Sequence, residues 1–153
     1  MQKGNALKFL VVLHKALLVG QLVFAAACAY LVYSKAMLPA FSSLEKLLQA
    51  AAILLSAGGV YAAKQIFKKK LLQISDMQLG AKEKFSVYRS ASIIQWALLE
   101  APVLFCIVCF FLTGNYAFLA LAVVLIFLFV LAAPSKTKML NHLQISEAEL
   151  DEL

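Results

Sequence analysis

The sequence predicts an all-α integral membrane protein. The expected architecture is a four-helix bundle of two tandem, parallel transmembrane hairpins, each followed by a short cytoplasmic helix. Three observations carry this expectation: four long apolar runs, lysines gathered between those runs, and a polar signature repeated after the second and fourth of them.

Of the 153 residues, 63% are apolar and 14% charged, and the mean hydropathy is +0.87. Soluble domains run at about 45–50% apolar and about 25% charged. A chain this apolar has too little polar surface to coat a water-soluble fold. Its length fits a single transmembrane domain over residues 1–153.

A spanning helix needs about 20 mostly apolar residues. The runs are roughly Phe9–Tyr33, Leu47–Phe67, Ala91–Thr113 and Tyr116–Ala133. Only Gly114 and Asn115 separate the last two, so these form a tight antiparallel hairpin. Lys3, Lys8 and Ala25-Ala26-Ala27 give the first run some features of a cleaved leader. His14 and Lys15 interrupt its apolar core, however, and the run is long, so it is read as a retained span.

Positive charge fixes the expected orientation. The connection between spans two and three carries Lys64, Lys68, Lys69, Lys70, Lys82, Lys84 and Arg89, whereas the connection between spans three and four carries no charge. Lysine-rich connections stay in the cytoplasm. Both termini then lie on that side too, which agrees with Lys3, Lys8, Lys136 and Lys138. Lys64, Lys68, Lys69, Lys70 and Arg89 are expected to touch anionic lipid headgroups. The net charge of +6 is therefore assigned to the membrane surface, not to nucleic acid.

Leu71-Leu72-Gln73-Ile74-Ser75-Asp76-Met77-Gln78-Leu79 and His142-Leu143-Gln144-Ile145-Ser146-Glu147-Ala148-Glu149-Leu150 share the pattern L-Q-I-S-acid-x-(Q/E)-L. Ser75 with Gln78 and Ser146 with Glu149 fit capping boxes, so each copy is expected to start a short helix after its serine. Spans one and three align as well: Ala16-Leu17-Leu18 falls on Ala97-Leu98-Leu99, Phe24 on Phe105 and Cys28 on Cys109. The repeats cover about residues 8–79 and 84–150. Both hairpins enter from the same side, which makes the repeat parallel.

Small residues forecast close packing. Gly20, Ala25 and Ala29 in the first span, with Ala52, Ser56, Gly59 and Ala63 in the second, predict that these two helices meet. The bulky fourth span is expected to face lipid or a second subunit. Ser42 with Glu45, after Pro39, predicts a third capping box at the start of the second helix.

Among charged residues only Lys15 and Glu100 fall well inside a span. Counting from Ala91, Glu100 lies ~14 Å deep, near mid-bilayer. An ionised acid there costs at least about 2.5 kcal/mol, so it must be neutral, paired or wet. In the repeat register Lys15 corresponds to Trp96, one turn from Glu100, which predicts a Lys15–Glu100 contact. Gln21, Gln95 and His14 are the further polar candidates beside it. Pro102 lacks an amide and would free the carbonyl of Leu98, offering a kink next to the acid.

The run Glu100-Ala101-Pro102-Val103-Leu104-Phe105 resembles one helix of the membrane glutathione-transferase and eicosanoid group, whose members are also basic four-helix proteins. That group's histidine and asparagines flanking the acid have no counterpart here, and its helix comes second instead of third. The Ala-Leu-Leu-Glu-Ala run at residues 97–101 resembles the acid-bearing helix of rotary-ATPase ring subunits, but the glycine-rich partner helix is missing. Neither resemblance assigns a family.

Cys106-Ile107-Val108-Cys109 has redox spacing but sits late in an apolar helix, where a thiolate is not favoured. No phosphate loop, nucleophile elbow or zinc spacing occurs. No catalytic residue, metal or cofactor is expected. The expected function is a non-enzymatic structural or accessory subunit that oligomerises or joins a larger membrane complex. A proton- or cation-coupled transport component using Glu100 is the alternative, and a membrane-embedded enzyme acting on a lipophilic substrate comes third.

Overall fold

A computed structural model describes residues 5–35, 44–76, 80–147 and 149. The described residues form five helices and no strand: α1 (Asn5–Tyr33), α2 (Glu45–Asp76), α3 (Ala81–Thr113), α4 (Tyr116–Leu131) and α5 (Lys136–Leu143). Among these, α1, α2 and α3 are long and apolar enough to cross a membrane; α4 joins them only when paired with α5 across a 66° bend. At 16 residues, α4 is ~24 Å long, short of the ~30 Å hydrocarbon core.

Pro134 accounts for the bend. Proline offers no amide to continue the ladder and disfavours a helical residue before it. Ser135 then caps α5, its side chain accepting the Lys138 amide at 3.3 Å. Aligned on the two L-Q-I-S segments, Pro134 falls on Ala63. With alanine there, α2 runs unbroken for 32 residues through Ser75 to Asp76, so the helix expected to begin after Ser75 does not. The second signature behaves as expected: Glu149 accepts the Ser146 amide at 2.8 Å, and Ser146 Oγ accepts the Glu149 amide at 3.3 Å. Gln78, Ser42 and Pro39, with the capping boxes built on them, lie outside the described residues.

The hairpin turn between α3 and α4 forms at the predicted residues. Gly114 takes φ 69°, a left-handed conformation that glycine adopts without strain, and donates to Phe110 O at 2.7 Å. Asn115 caps α4 through the Ala117 amide at 2.8 Å. Its side-chain amide also donates to Glu45 at the start of α2, which ties the turn to a third helix.

Two buried clusters stack along the bundle. One joins Leu10, Ala63, Ile74, Tyr88, Trp96, Leu99, Phe129, Met139 and Leu143. The other joins Cys28, Ala52, Val103, Cys106, Ile107, Cys109, Phe110, Phe118, Ala122 and Leu125. The beginnings of α1 and α3 thus meet the ends of α2 and α4, with α5 folded beneath. This is the basic end of the molecule, where Lys64, Lys68, Lys69, Lys82 and Arg89 are exposed.

The hub is α3. Its chief neighbours are α2, then α4 and α1, while α1 and α2 barely touch. The predicted α1–α2 packing is therefore corrected: the small-residue stripe of α2 faces α3. Ala52 and Ala63 are buried, Ser56 Oγ lies 4.0 Å from Cys106 Sγ, and Gly59 sits against Leu98 O and Pro102. The physical reason is the proline. Pro102 frees the Leu98 carbonyl, which lies close against α2, and only a residue without a side chain fits beside it. The fourth helix also departs from expectation in part, because Phe118, Ala122, Leu125 and Phe129 are buried and only its opposite face is exposed.

A Cβ on Gly59 would lie 2.8 Å from Leu98 O, whereas one on Gly58 would meet nothing within 4 Å. Gly59→Ala should therefore destabilise the fold by about 1–3 kcal/mol, and Gly58→Ala should be neutral or slightly stabilising. Thermal unfolding in detergent checks the pair. Accepting the Ser146 amide and hydroxyl holds the Glu149 carboxyl below the usual glutamate range. A depressed folded value stabilises above the unfolded pKa and is lost as pH falls through the folded one. The terminal turn should therefore loosen below about pH 4.3. The Ser146 amide shift should report this transition, and Glu149→Gln should remove it.

Candidate functional site

Two groups of polar side chains occur within the apolar bundle. The first surrounds Glu100. Gln21 of α1 is buried, and neither atom of its side-chain amide has a hydrogen-bond partner. It lies beside the Glu100 carboxyl, close enough to act on it but without the geometry of a formed hydrogen bond. Glu100 is half-buried at the edge of an outward face of α3, where Ile93, Ala97, Ala101 and Val108 are exposed.

Lys15 is not part of this group. Helical spacing puts Leu10, His14, Gln21 and Cys28 on the buried face of α1, and Lys15 on its outer face with Val12, Val19 and Val23. The Lys15–Glu100 ion pair expected from the repeat register does not form; among the described residues the one ion pair is Lys136–Glu147, at 3.3 Å on the surface. The register gave depth but not azimuth, and one residue of helix turns a side chain by about 100°.

The second group caps the short helix. The last carbonyls of an α-helix lack intrahelical donors and need partners from elsewhere. At the end of α4 every carbonyl from Leu128 to Ala133 finds a donor. The Ala132 amide serves Leu128 and Phe129, and the Ala133 amide serves Val130. His14 Nε2 also reaches Phe129 O at 3.0 Å, so that nitrogen carries the proton. Trp96 Nε1 donates to Ala132 O at 3.2 Å. Lys138 Nζ donates to Leu131 O at 2.9 Å and to Ala133 O at 3.0 Å. The His14 ring stacks on Phe129 at 4.5 Å and meets Trp96 edge-on at 5.1 Å.

Gln95 stands apart from Glu100. It faces the space between α2 and the end of α4. Lys64, Lys68 and Lys69 on α2 and Arg89 on α3 are exposed at the basic end, and Lys70 is half-buried there. Cys28, Cys106 and Cys109 are free and buried. Among the described residues no cluster of His, Cys, Asp or Glu could hold a metal.

Sequence reasoning missed Trp96 and Lys138 as a capping set with His14. Its available signal was Pro134, which ends a helix where the chain is still apolar and so obliges side chains to supply donors. No family model, curated protein or solved structure matches this chain.

Replacing Trp96 by Phe keeps the aromatic packing but leaves Ala132 O without its donor. Losing a part-buried hydrogen bond of this kind costs about 0.5–1.5 kcal/mol. Trp96→Phe should lower the unfolding midpoint in detergent, and His14→Phe should do so less, because Phe129 O retains the Ala132 amide.

Proposed function

We propose that this chain is a multi-pass protein of the cell membrane with both termini in the cytoplasm, built from two tandem parallel hairpins. It acts as a non-enzymatic structural or accessory subunit that docks against a membrane partner, either another copy or a larger complex.

The orientation is supported by the gathering of Lys64, Lys68, Lys69, Lys82 and Arg89 at one end of the bundle. The duplication is supported by burial: Leu10 and Ala91, Gln21 and Pro102, and Cys28 and Cys109 correspond in the repeat register and are buried in both helices.

The docking role rests on one observation. Glu100 lies at mid-span on the edge of an exposed apolar face, with no cation beside it among the described residues and with the unbonded Gln21 amide next to it. An acid left like this in hydrocarbon is costly. A polar or cationic side chain from a partner helix would satisfy both groups, and interhelical hydrogen bonds are an established adhesive between membrane helices.

The decisive variant is Glu100→Gln, compared with the parent chain in lipid nanodiscs. Loss of the assembled species by native mass, with unchanged helicity and unfolding midpoint, is the expected result. Intact assembly with loss of proton entry into pyranine-loaded vesicles would transfer the assignment to ion coupling. Intact assembly without proton entry in either chain would refute both.

A further inference from the structure

We propose that the basic end of the bundle holds a specific site for an anionic phospholipid, between α2, α3 and the α4–α5 bend. Two cavities meet there. One, of about 220 Å³, runs between α2 and α4 along Val60, Leu99 and Leu128. The other, of about 140 Å³, opens beneath it toward α5 and is lined by Ser92, Lys138 and His142. Gln95, Leu131 and Ala132 line both, so the two cavities adjoin.

The charge on its walls selects an anion. Lys64 borders the upper cavity and Lys138 the lower, and no carboxylate lines either one. The end of α4 contributes roughly half a negative charge. Two lysines outweigh it, and Lys138 already holds two of the carbonyls concerned. One donor of Lys138 remains, joined by the Ser92 hydroxyl and the Gln95 amide. That set suits a phosphate oxygen.

The shape selects a lipid over a free phosphate ion. A lone phosphate would fill the polar cavity and leave the larger apolar one empty. A phospholipid fills both, with its phosphate at Lys138, Ser92 and Gln95 and its acyl chain rising between α2 and α4, which scarcely touch. The site also lies at the end of the bundle where headgroups are expected, and basic pockets between spanning helices are a known setting for headgroup capture.

The single tryptophan reports on this site, because Trp96 donates to Ala132 O on the cavity wall. The full chain is placed in phosphatidylcholine nanodiscs containing a minor fraction of brominated phosphatidylglycerol or, separately, of brominated phosphatidylcholine. Trp96 should be quenched more strongly by the anionic lipid at equal mole fraction. Lys64→Gln, an exposed position, should weaken that preference about five-fold. Lys138→Gln should weaken it further, with retained helicity showing that the fold survives. Lys35→Gln, at the opposite end, should leave it unchanged.

Equal quenching by both lipids overturns the site. So does a preference that survives Lys64→Gln but disappears when Lys68, Lys69 and Lys70 are replaced by Gln, since that describes diffuse surface attraction. Abolition of the preference by millimolar inorganic phosphate, with matched chloride having no effect, overturns the lipid assignment in favour of a free-phosphate site.

Discussion

The fold depends on one constraint: the carbonyls that lack intrahelical donors at the end of α4 must find donors elsewhere. The helix stops at 16 residues because Pro134 ends it. Side chains from three helices answer. His14 comes from α1, Trp96 from α3 and Lys138 from α5, each donating to a different part of the same turn. These bonds also draw α1 toward α3 and α4, and they hold α5 beneath the bundle. Met139 and Leu143 then bury themselves in the same cluster as Leu10 and Phe129. A helix terminus with unpaired carbonyls thus becomes the joint that organises one end of the molecule.

A second joint lies deeper, at Pro102. The carbonyl of Leu98 loses its intrahelical donor, and Gly59 presents a bare Cα to it. This contact gives α2 its partner and explains why α3, not α1, receives the small-residue face of α2. The two proposed repeats therefore play unequal parts. Spans one and three are buried alike at three aligned positions, yet α3 packs against α2, α4 and α1 and lightly against α5, while α1 packs chiefly against α3 and lightly against α4. The proposed repeats need not yield interchangeable helices, because one carries Pro102 and Pro134 where the aligned positions of the other hold Gln21 and Ala63.

Much of the fold was legible because it is written in composition and periodicity. The long apolar runs, the Gly114-Asn115 turn and the Ser146–Glu149 cap are local features that depend on few neighbours. Helix partners were not legible. The stripe Ala52, Ser56, Gly59, Ala63 marked a face for close approach, but a stripe names no partner, and α3 offered the better complement. The Lys15–Glu100 pairing failed for a related reason: depth follows from counting residues, whereas azimuth depends on how each helix is rotated in the bundle. Gln21, expected to supply a further hydrogen bond, holds the place beside Glu100 that Lys15 was expected to hold. His14 proved to be a cap and not a partner of the acid, a role that appears only once α4 is known to end beside it.

The two polar regions stay chemically distinct although one helix carries both. Gln95 and Glu100 are five residues apart on α3, about 7.5 Å along the axis, and about 140° apart in azimuth. One looks inward to the cavity between α2 and α4, and the other outward past α1. Substitutions at sites separated by more than ~7–10 Å with no shared partner act nearly independently. The acid at mid-span and the lysines at the basic end therefore answer different questions about this protein. Loss of a partner at Glu100 leaves the cavity walls intact, and loss of charge at Lys64 leaves Gln21 and Glu100 where they are. An effect of one on the other would have to travel through α3 itself, where the Pro102–Gly59 contact and the Trp96 bond to α4 hold the helix on both sides.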